Sequence, residues 1–405
     1  MTLTASRPAA SGPGARLRGI DAARGIALFG MFAAHLVDVE NPVDWSEPST
    51  WWSIVAGRSS VLFAVLAGVS LALTTGRDRP VRGAALTVAR RRIATRGVLI
   101  AVIGILLMLL ETPVAVILAT YGILFVVLLP ALSWSRVALL TVAGGLALVA
   151  FPISLASVFP LAETGVILQQ IFLYYPLATF AAYLLLGLAV GRSDLRSPRV
   201  LGALLGGGTA LAVVVYSVGE AVTPGGLLFH SFGGLRLRDY VFASEPHSST
   251  LVDMLGSAGV ALAVIGACGL LARVPRNAPL FVLARVGAMP LSIYSAHLVV
   301  IAWLYHSGFL DGLTPASEGT VWALFVVGAC LAALAWGGRP GPLERAVAAV
   351  ARAVGGRAPE AVAPGVQGGA PVLGAGSSSV SGVAAGESTS TSPRDDWAPP
   401  SGRPL

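Results

Sequence analysis

Two of the five histidines, His35 and His297, fall inside apolar runs long enough to span a bilayer. Imidazole exchanges a proton near neutral pH, and two imidazoles beside one cavity could serve as general base for a hydroxyl or amine acceptor. His35 follows Asp21 by 14 residues, which is about 21 Å along a helix. His297 sits about 17 residues into a run that begins near 280. Both helices run in the same direction, so the two rings reach similar depth in the outer half of the membrane. Asp38 lies within one turn of His35 and could hold its ring. Arg58 opens the second apolar run, ahead of Ser59 and Ser60, where a guanidinium could orient an acceptor or stabilise an oxyanion. Asp21 and Arg24 stand at i and i+3, on one helix face, and can pair. Tyr294 is one turn before His297, and Tyr121 lies in a fourth apolar run. Ionisable groups at such depth usually face a bundle interior or a water-filled cavity. Plainer roles stay open: His35 as an interfacial residue, His297 as a packing residue, and Asp21 with Arg24 as an inner-leaflet anchor.

The elements that must position these groups are membrane spans. The 405 residues are 55% hydrophobic and 12% charged, against roughly 25% charged in a soluble domain. Mean hydropathy is +0.78. The predicted fold class is all-α, a polytopic transmembrane helix bundle of about ten spans: 20–38, 55–75, 94–110, 114–130, 136–153, 171–191, 200–218, 251–272, 280–304 and 319–336. Spans three and four are weakly separated, by Glu111, Thr112 and Pro113. The net charge of +7 comes from arginine, with no lysine. With the N-terminus and C-terminus both cytoplasmic, all but Arg58, Arg236 and Arg238 of the 27 arginines fall on the inner side. The opposite orientation would export Arg77, Arg79, Arg82, Arg90, Arg91, Arg92 and Arg96 together.

Residues 1–15 and 353–405 are rich in Ala, Gly, Pro, Ser and Thr and are expected to be disordered. Residues 16–345 form the transmembrane domain. The arginines sit in short loops between apolar runs, so nucleic acid is not an expected partner. Cys268 and Cys330 lie in apolar runs, with no CxxC or zinc spacing, and no metal site is expected. No Walker, Rossmann or HExxH pattern occurs.

The first span and its approach read RLRGIDAARGIALFGMFAAHLVDV. The pattern R-x-x-x-x-D-x-x-R-G-I-A falls on Arg16, Asp21, Arg24, Gly25, Ile26 and Ala27. The second span carries F-x-x-L-x-G at Phe63, Leu66 and Gly68. Further pieces are VILATYGILFVVL, with Tyr121 and Gly122, and RVGAMPLSIYSAHLVV, with Gly287, Pro290, Tyr294 and His297. These segments resemble the YeiB-like bacterial membrane proteins, which are related to the heparan-alpha-glucosaminide N-acetyltransferase family. The resemblance touches most of 16–336. It implies transfer of an acyl group from acyl-CoA in the cytosol, with acetyl-CoA as the expected co-substrate, to an acceptor on the other side. The lysosomal members carry an essential histidine before the second span, in H-x-x-W-x-G. The matching loop here, 39–57, has Trp45, Trp51, Trp52 and Gly57 but no histidine. Either His35 substitutes from the end of the first span, or transfer is direct, or the branch does something else.

Two classes of function follow. The first is a membrane acyltransferase of the bacterial plasma membrane, acting on an extracytoplasmic glycan or lipid. In it His35, His297 and Arg58 are the catalytic candidates, and Asp21, Arg24, Asp38, Tyr294 and Tyr121 are the substrate-binding ones. Arg90, Arg91 and Arg92 would attract the phosphates of acyl-CoA, no cofactor is permanently bound, and a homodimer is a candidate assembly. The second class is a transporter of a small or lipid-like solute.

Overall fold

The apolar runs fold as helices, and no strand occurs among the described residues. The computed structural model describes residues 17–37, 46–223 and 241–356. The helices are α1 (Arg18–Leu36), α2 (Arg58–Thr74), α3 (Gly83–Met108), α4 (Leu118–Val127), α5 (Arg136–Ala162), α6 (Val166–Gln169) and α7 (Leu177–Gly191). They continue as α8 (Pro198–Val222), α9 (Leu251–Leu271), α10 (Ala278–Val286), α11 (Pro290–His306), α12 (Pro315–Ala335) and α13 (Pro342–Gly355). Side-chain caps set several starts. Ser135 accepts from the Ala138 N–H at 3.2 Å and Thr250 from the Asp253 N–H at 3.1 Å. Proline occupies the first turn of α8, α11, α12 and α13, where its missing N–H costs nothing.

By length and composition five helices can each cross a bilayer, and seven segments can if each bent pair counts as one. The chain is a polytopic membrane protein. α2 lies mostly buried, whereas α5, α8 and α12 present apolar side chains such as Leu148, Val214 and Leu331 outward, as lipid-facing helices do. Small residues let backbones meet. A Cβ at Gly68 would strike the Leu184 carbonyl, and one at Gly187 the Val65 carbonyl, so α2 and α7 touch at both points.

Three expected spans differ from simple helices. The run 280–304 is two helices, α10 and α11, bent by 76°. Pro290 is the cause: it disfavours the helical region for Met289, which sits at φ −133° and ψ 51°. The run 171–191 contains a π-turn over Gln170–Tyr174, a break at Pro176 and then α7, with a 51° bend. In the run 114–130 only Leu118–Val127 is α-helical. Ahead of it, Val114, Val116 and Ile117 are buried in irregular backbone. That backbone finds partners, because the Val116 N–H donates to Gln170 Oε1 at 3.0 Å and Tyr175 OH to the Ala115 carbonyl at 3.0 Å.

α13 was not among the expected elements. It buries Val347, Ala351 and Gly355, spaced four apart on one face, and packs on α3. It also runs three residues into the segment expected to be tail. The expectations for residues 1–16 and for 357–405 lie outside the described residues.

Candidate functional site

α1 carries His35 in its last turn, and α11 carries His297 two turns after Pro290. The bend before Pro290 aims α11 so that the two rings meet. His35 Nδ1 lies 3.2 Å from His297 Nε2, and the rings stack at 5.4 Å with 6° between their planes. His297 is 4% exposed and His35 is half-buried. Phe32 and Tyr294 wall His297, with ring centroids 4.8 and 4.9 Å from its own. The buried Nδ1 of His297 faces the backbone of its own preceding turn, at Ile293 and Tyr294, without a well-formed hydrogen bond. In a neutral pair one ring donates and the other accepts. His35 keeps Nε2 outside the pair.

Beside the pair lies a mostly apolar cavity of about 400 Å³ between α1, α2, α3, α4, α11 and α13. Tyr294 and Tyr121 line it, and Arg24, Ser70, Arg96 and Glu344 supply its polar groups. Arg24 pairs with Asp21 at 2.5 Å, and its other nitrogen donates to Ser70 Oγ at 2.8 Å. Tyr121 donates to the Ser60 carbonyl at 2.9 Å and stacks on Phe63. Tyr294 is the residue shared by cavity and histidine pair. The cavity's walls are thus apolar, with cations at one part and tyrosines at another, which suits an amphipathic ligand.

Arg58 belongs elsewhere. It donates to Tyr216 OH at 3.2 Å and to the Ser53 carbonyl at 3.1 Å, and its guanidinium lies 5.0 Å from the Tyr216 ring centroid. Tyr216 OH bonds Ser257 Oγ at 3.1 Å, and Ser257 donates to Asp253 Oδ1 at 3.2 Å. Arg58 therefore ends a buried polar chain joining α2, α8 and α9, and its hydrogen bonds go there, not to the histidines. Asp253, Tyr216 and Ser257 were missed in the sequence. The available signal was an acid in an apolar run, with Thr250 three residues before it and Ser257 one turn after.

Arg90, Arg91 and Arg92 are successive on α3 and so diverge by about 100° each. Arg90 donates to the Leu129 carbonyl at 3.2 Å and Arg92 to the Gly356 carbonyl at 2.5 Å, while Arg91 is exposed. They do not converge on one point. Glu344, also missed, accepts from the Leu291 and Ser292 N–H groups at 2.7 and 3.1 Å. It thereby caps α11, the helix that carries His297. Asp38 lies outside the described residues. Among the described residues no three His, Cys, Asp or Glu gather as metal ligands would.

The described residues thus form an all-α membrane bundle in which an imidazole pair meets Tyr294, a residue that also lines an apolar cavity. The family model described as heparan-alpha-glucosaminide N-acetyltransferase, catalytic, matches residues 16–219, and the chain belongs to that family. The match covers α1 to most of α8, with His35, Arg58 and Tyr121 inside it and Tyr294 and His297 beyond its end. No curated protein matches the chain.

Proposed function

We propose that this protein is a membrane acyltransferase of the bacterial plasma membrane that moves an acyl group from cytoplasmic acyl-CoA to an extracytoplasmic glycan or lipid. Family membership supports acyl transfer. The observation that carries the site is the contact between His35 and His297, 262 residues apart in sequence, beside a cavity shaped for an apolar arm. The arginine asymmetry supports ten crossings with both ends cytoplasmic.

The acyl-CoA arm enters the cavity past Arg24 and Arg96 and brings its thioester towards Tyr294. The acceptor approaches His35 from the outer side. Nε2 of His35 takes the proton of the acceptor hydroxyl or amine as its oxygen or nitrogen bonds to the thioester carbonyl carbon. The carbon–sulfur bond then breaks, and CoA leaves as a thiolate that picks up a proton. The charge gained by His35 is shared with His297 through the bond between Nδ1 and Nε2. The test is transfer of labelled acetyl from acetyl-CoA sealed inside proteoliposomes to envelope extract outside. Parent protein should label the extract and His35→Ala should not. Equal labelling by both would remove the role of His35.

A transporter is the second reading. The bent pair α10 and α11, the π-turn before α7 and the irregular stretch before α4 favour it, since transporters place broken helices around a site at depth. Counterflow of an unmodified solute in proteoliposomes would support transport.

A further inference from the structure

α13 packs along α3 on the side that the arginine distribution assigns to the cytoplasm, and three arginines gather at the contact. Arg92 and Arg96 stand one turn apart on α3, and both Arg92 and Arg352 of α13 lie close enough to Arg96 to repel it. The end of α13 rests on Arg92: a Cβ at Gly355 would meet the Arg92 side chain at 2.3 Å, and the Arg92 guanidinium donates to the Gly356 carbonyl. Packing therefore holds three like charges together, which costs free energy until an anion joins them. Among the described residues no protein group fills that role. Arg96 and Arg352 make no hydrogen bond or ion pair there, and the Nε of Arg92 is buried without a partner. Glu344 lines the same cavity as Arg96, but its carboxylate accepts from the Leu291 and Ser292 N–H groups and from the Ser292 hydroxyl.

Depth sharpens the demand. Residues 97–108 of α3 lie beyond Arg96 and rise about 18 Å, short of the roughly 30 Å of a hydrocarbon core. With the far end of α3 at the outer boundary, Arg96 stands below the inner headgroups, where a lone guanidinium is costly. The surroundings suit a lipid. α3 presents Val98, Val102 and Leu106 outward, 55, 47 and 59% exposed, and α13 presents Val350 and Val354, 44 and 60% exposed. Arg352 is itself exposed. We infer that Arg92, Arg96 and Arg352 bind the phosphate of an anionic phospholipid of the inner leaflet, whose acyl chains lie along the exposed apolar side chains of α3. Guanidinium groups suit this task because each offers paired donors to phosphate oxygens. Orientation in the membrane asks only that arginines stay on the inner side, as the exposed Arg136 and Arg199 do. It does not ask that three of them share one contact between helices. The inference stands apart from the acyl-transfer reading, and its failure would leave that reading untouched.

The experiment is native mass spectrometry of the full-length protein in detergent, titrated with phosphatidylglycerol or with phosphatidylcholine of the same chains. Inorganic phosphate and CoA are added as competitors. The parent should hold one phosphatidylglycerol more tightly than phosphatidylcholine. Arg96→Ala with Arg352→Ala should weaken phosphatidylglycerol roughly ten- to hundredfold, the loss of one or two hydrogen bonds between charged groups. It should leave phosphatidylcholine binding as in the parent, which also shows that the variant is folded. Arg352→Glu alone, at an exposed side chain, should weaken phosphatidylglycerol in the same direction and replaces the double variant if that one does not fold. Arg136→Ala with Arg199→Ala removes the same charge from exposed positions on the same side and should bind both lipids as the parent does. Equal affinity of the parent for the two lipids overturns the inference, as does parental phosphatidylglycerol affinity in the Arg96 and Arg352 variants. Equal loss in the two double variants also overturns it, since net charge alone would then explain the preference. Displacement of the bound lipid by CoA or by inorganic phosphate would assign the three arginines to a soluble anion and overturn it as well.

Discussion

Glu344 holds the first turn of α11 in place through the Leu291 N–H, which donates to its Oε1 at 2.7 Å. A carboxylate at a helix N-terminus satisfies backbone donors and meets the positive end of the dipole. Here the capped helix carries Tyr294 and His297, and the capping residue comes from α13, 47 residues after His297. Glu344→Ala should therefore lower stability by about 1–2 kcal/mol, in the range for loss of an N-cap. Glu344→Gln, which keeps an acceptor oxygen, should lose less. Thermal unfolding in detergent checks the order, and a larger loss in the glutamine variant would contradict the capping role.

Gly287 marks the corner that aims α11. A Cβ there would collide with the Asp21 carbonyl, so α10 and α1 meet by backbone. Gly287→Ala should force them apart and cost about 1–3 kcal/mol, the usual range for overpacking. Unfolding measured beside Gly165→Ala, where a Cβ meets nothing within 4 Å, isolates the effect. Equal stability of the two variants would show that the corner has room.

α13 is expected to be part of the folded bundle. Truncation after Gly356 should shift the melting temperature by less than about 3 °C, while truncation after Pro340 should lower it well beyond that. The second cut removes Val347 and Ala351 from the face of α3 and Glu344 from α11. If both truncations melt alike, α13 adds nothing to stability.

Orientation can be read by thiol labelling in intact cells, in a background with Cys268 and Cys330 replaced by serine. Ala84→Cys and Asp194→Cys should resist a membrane-impermeant reagent. Glu47→Cys and Ser244→Cys should react. Labelling of Ala84→Cys from outside would reverse the arginine argument.

Much of this arrangement was legible in the sequence, and its limits have physical causes. Apolar runs declared the helices, because lipid imposes length and composition on any segment that crosses it. The matching depths of His35 and His297 followed from helix rise. Their proximity was expected only by assigning both rings to one cavity, because depth fixes one coordinate and lateral position depends on packing between distant segments; the rings meet at 5.4 Å. The bend before α11 was signalled by Pro290, yet a hydropathy window passes over a proline flanked by apolar residues. α13 was hidden by its alanines, which resemble the tail that follows, although Val347, Ala351 and Gly355 keep a helical spacing. Arg58 was read by its position at the start of a span. Its partners Tyr216 and Asp253 come from helices that sequence alone does not place beside α2.

The central claim is that the His35 and His297 pair takes the acceptor proton in an acyl transfer. Loss of a positioned base usually costs roughly 10²–10⁴-fold in rate, so His35→Ala should leave folding near parental and nearly abolish turnover. His297→Ala should cost less, since it supports His35 through Nδ1. The most direct measurement is mass spectrometry of envelope glycans and lipids from a deletion strain, and from the same strain carrying the parent, His35→Ala or His297→Ala. The account predicts an acylated species that disappears on deletion, returns with the parent, stays absent with His35→Ala and returns in part with His297→Ala. An envelope unchanged by the deletion, or fully restored by His35→Ala, would contradict it.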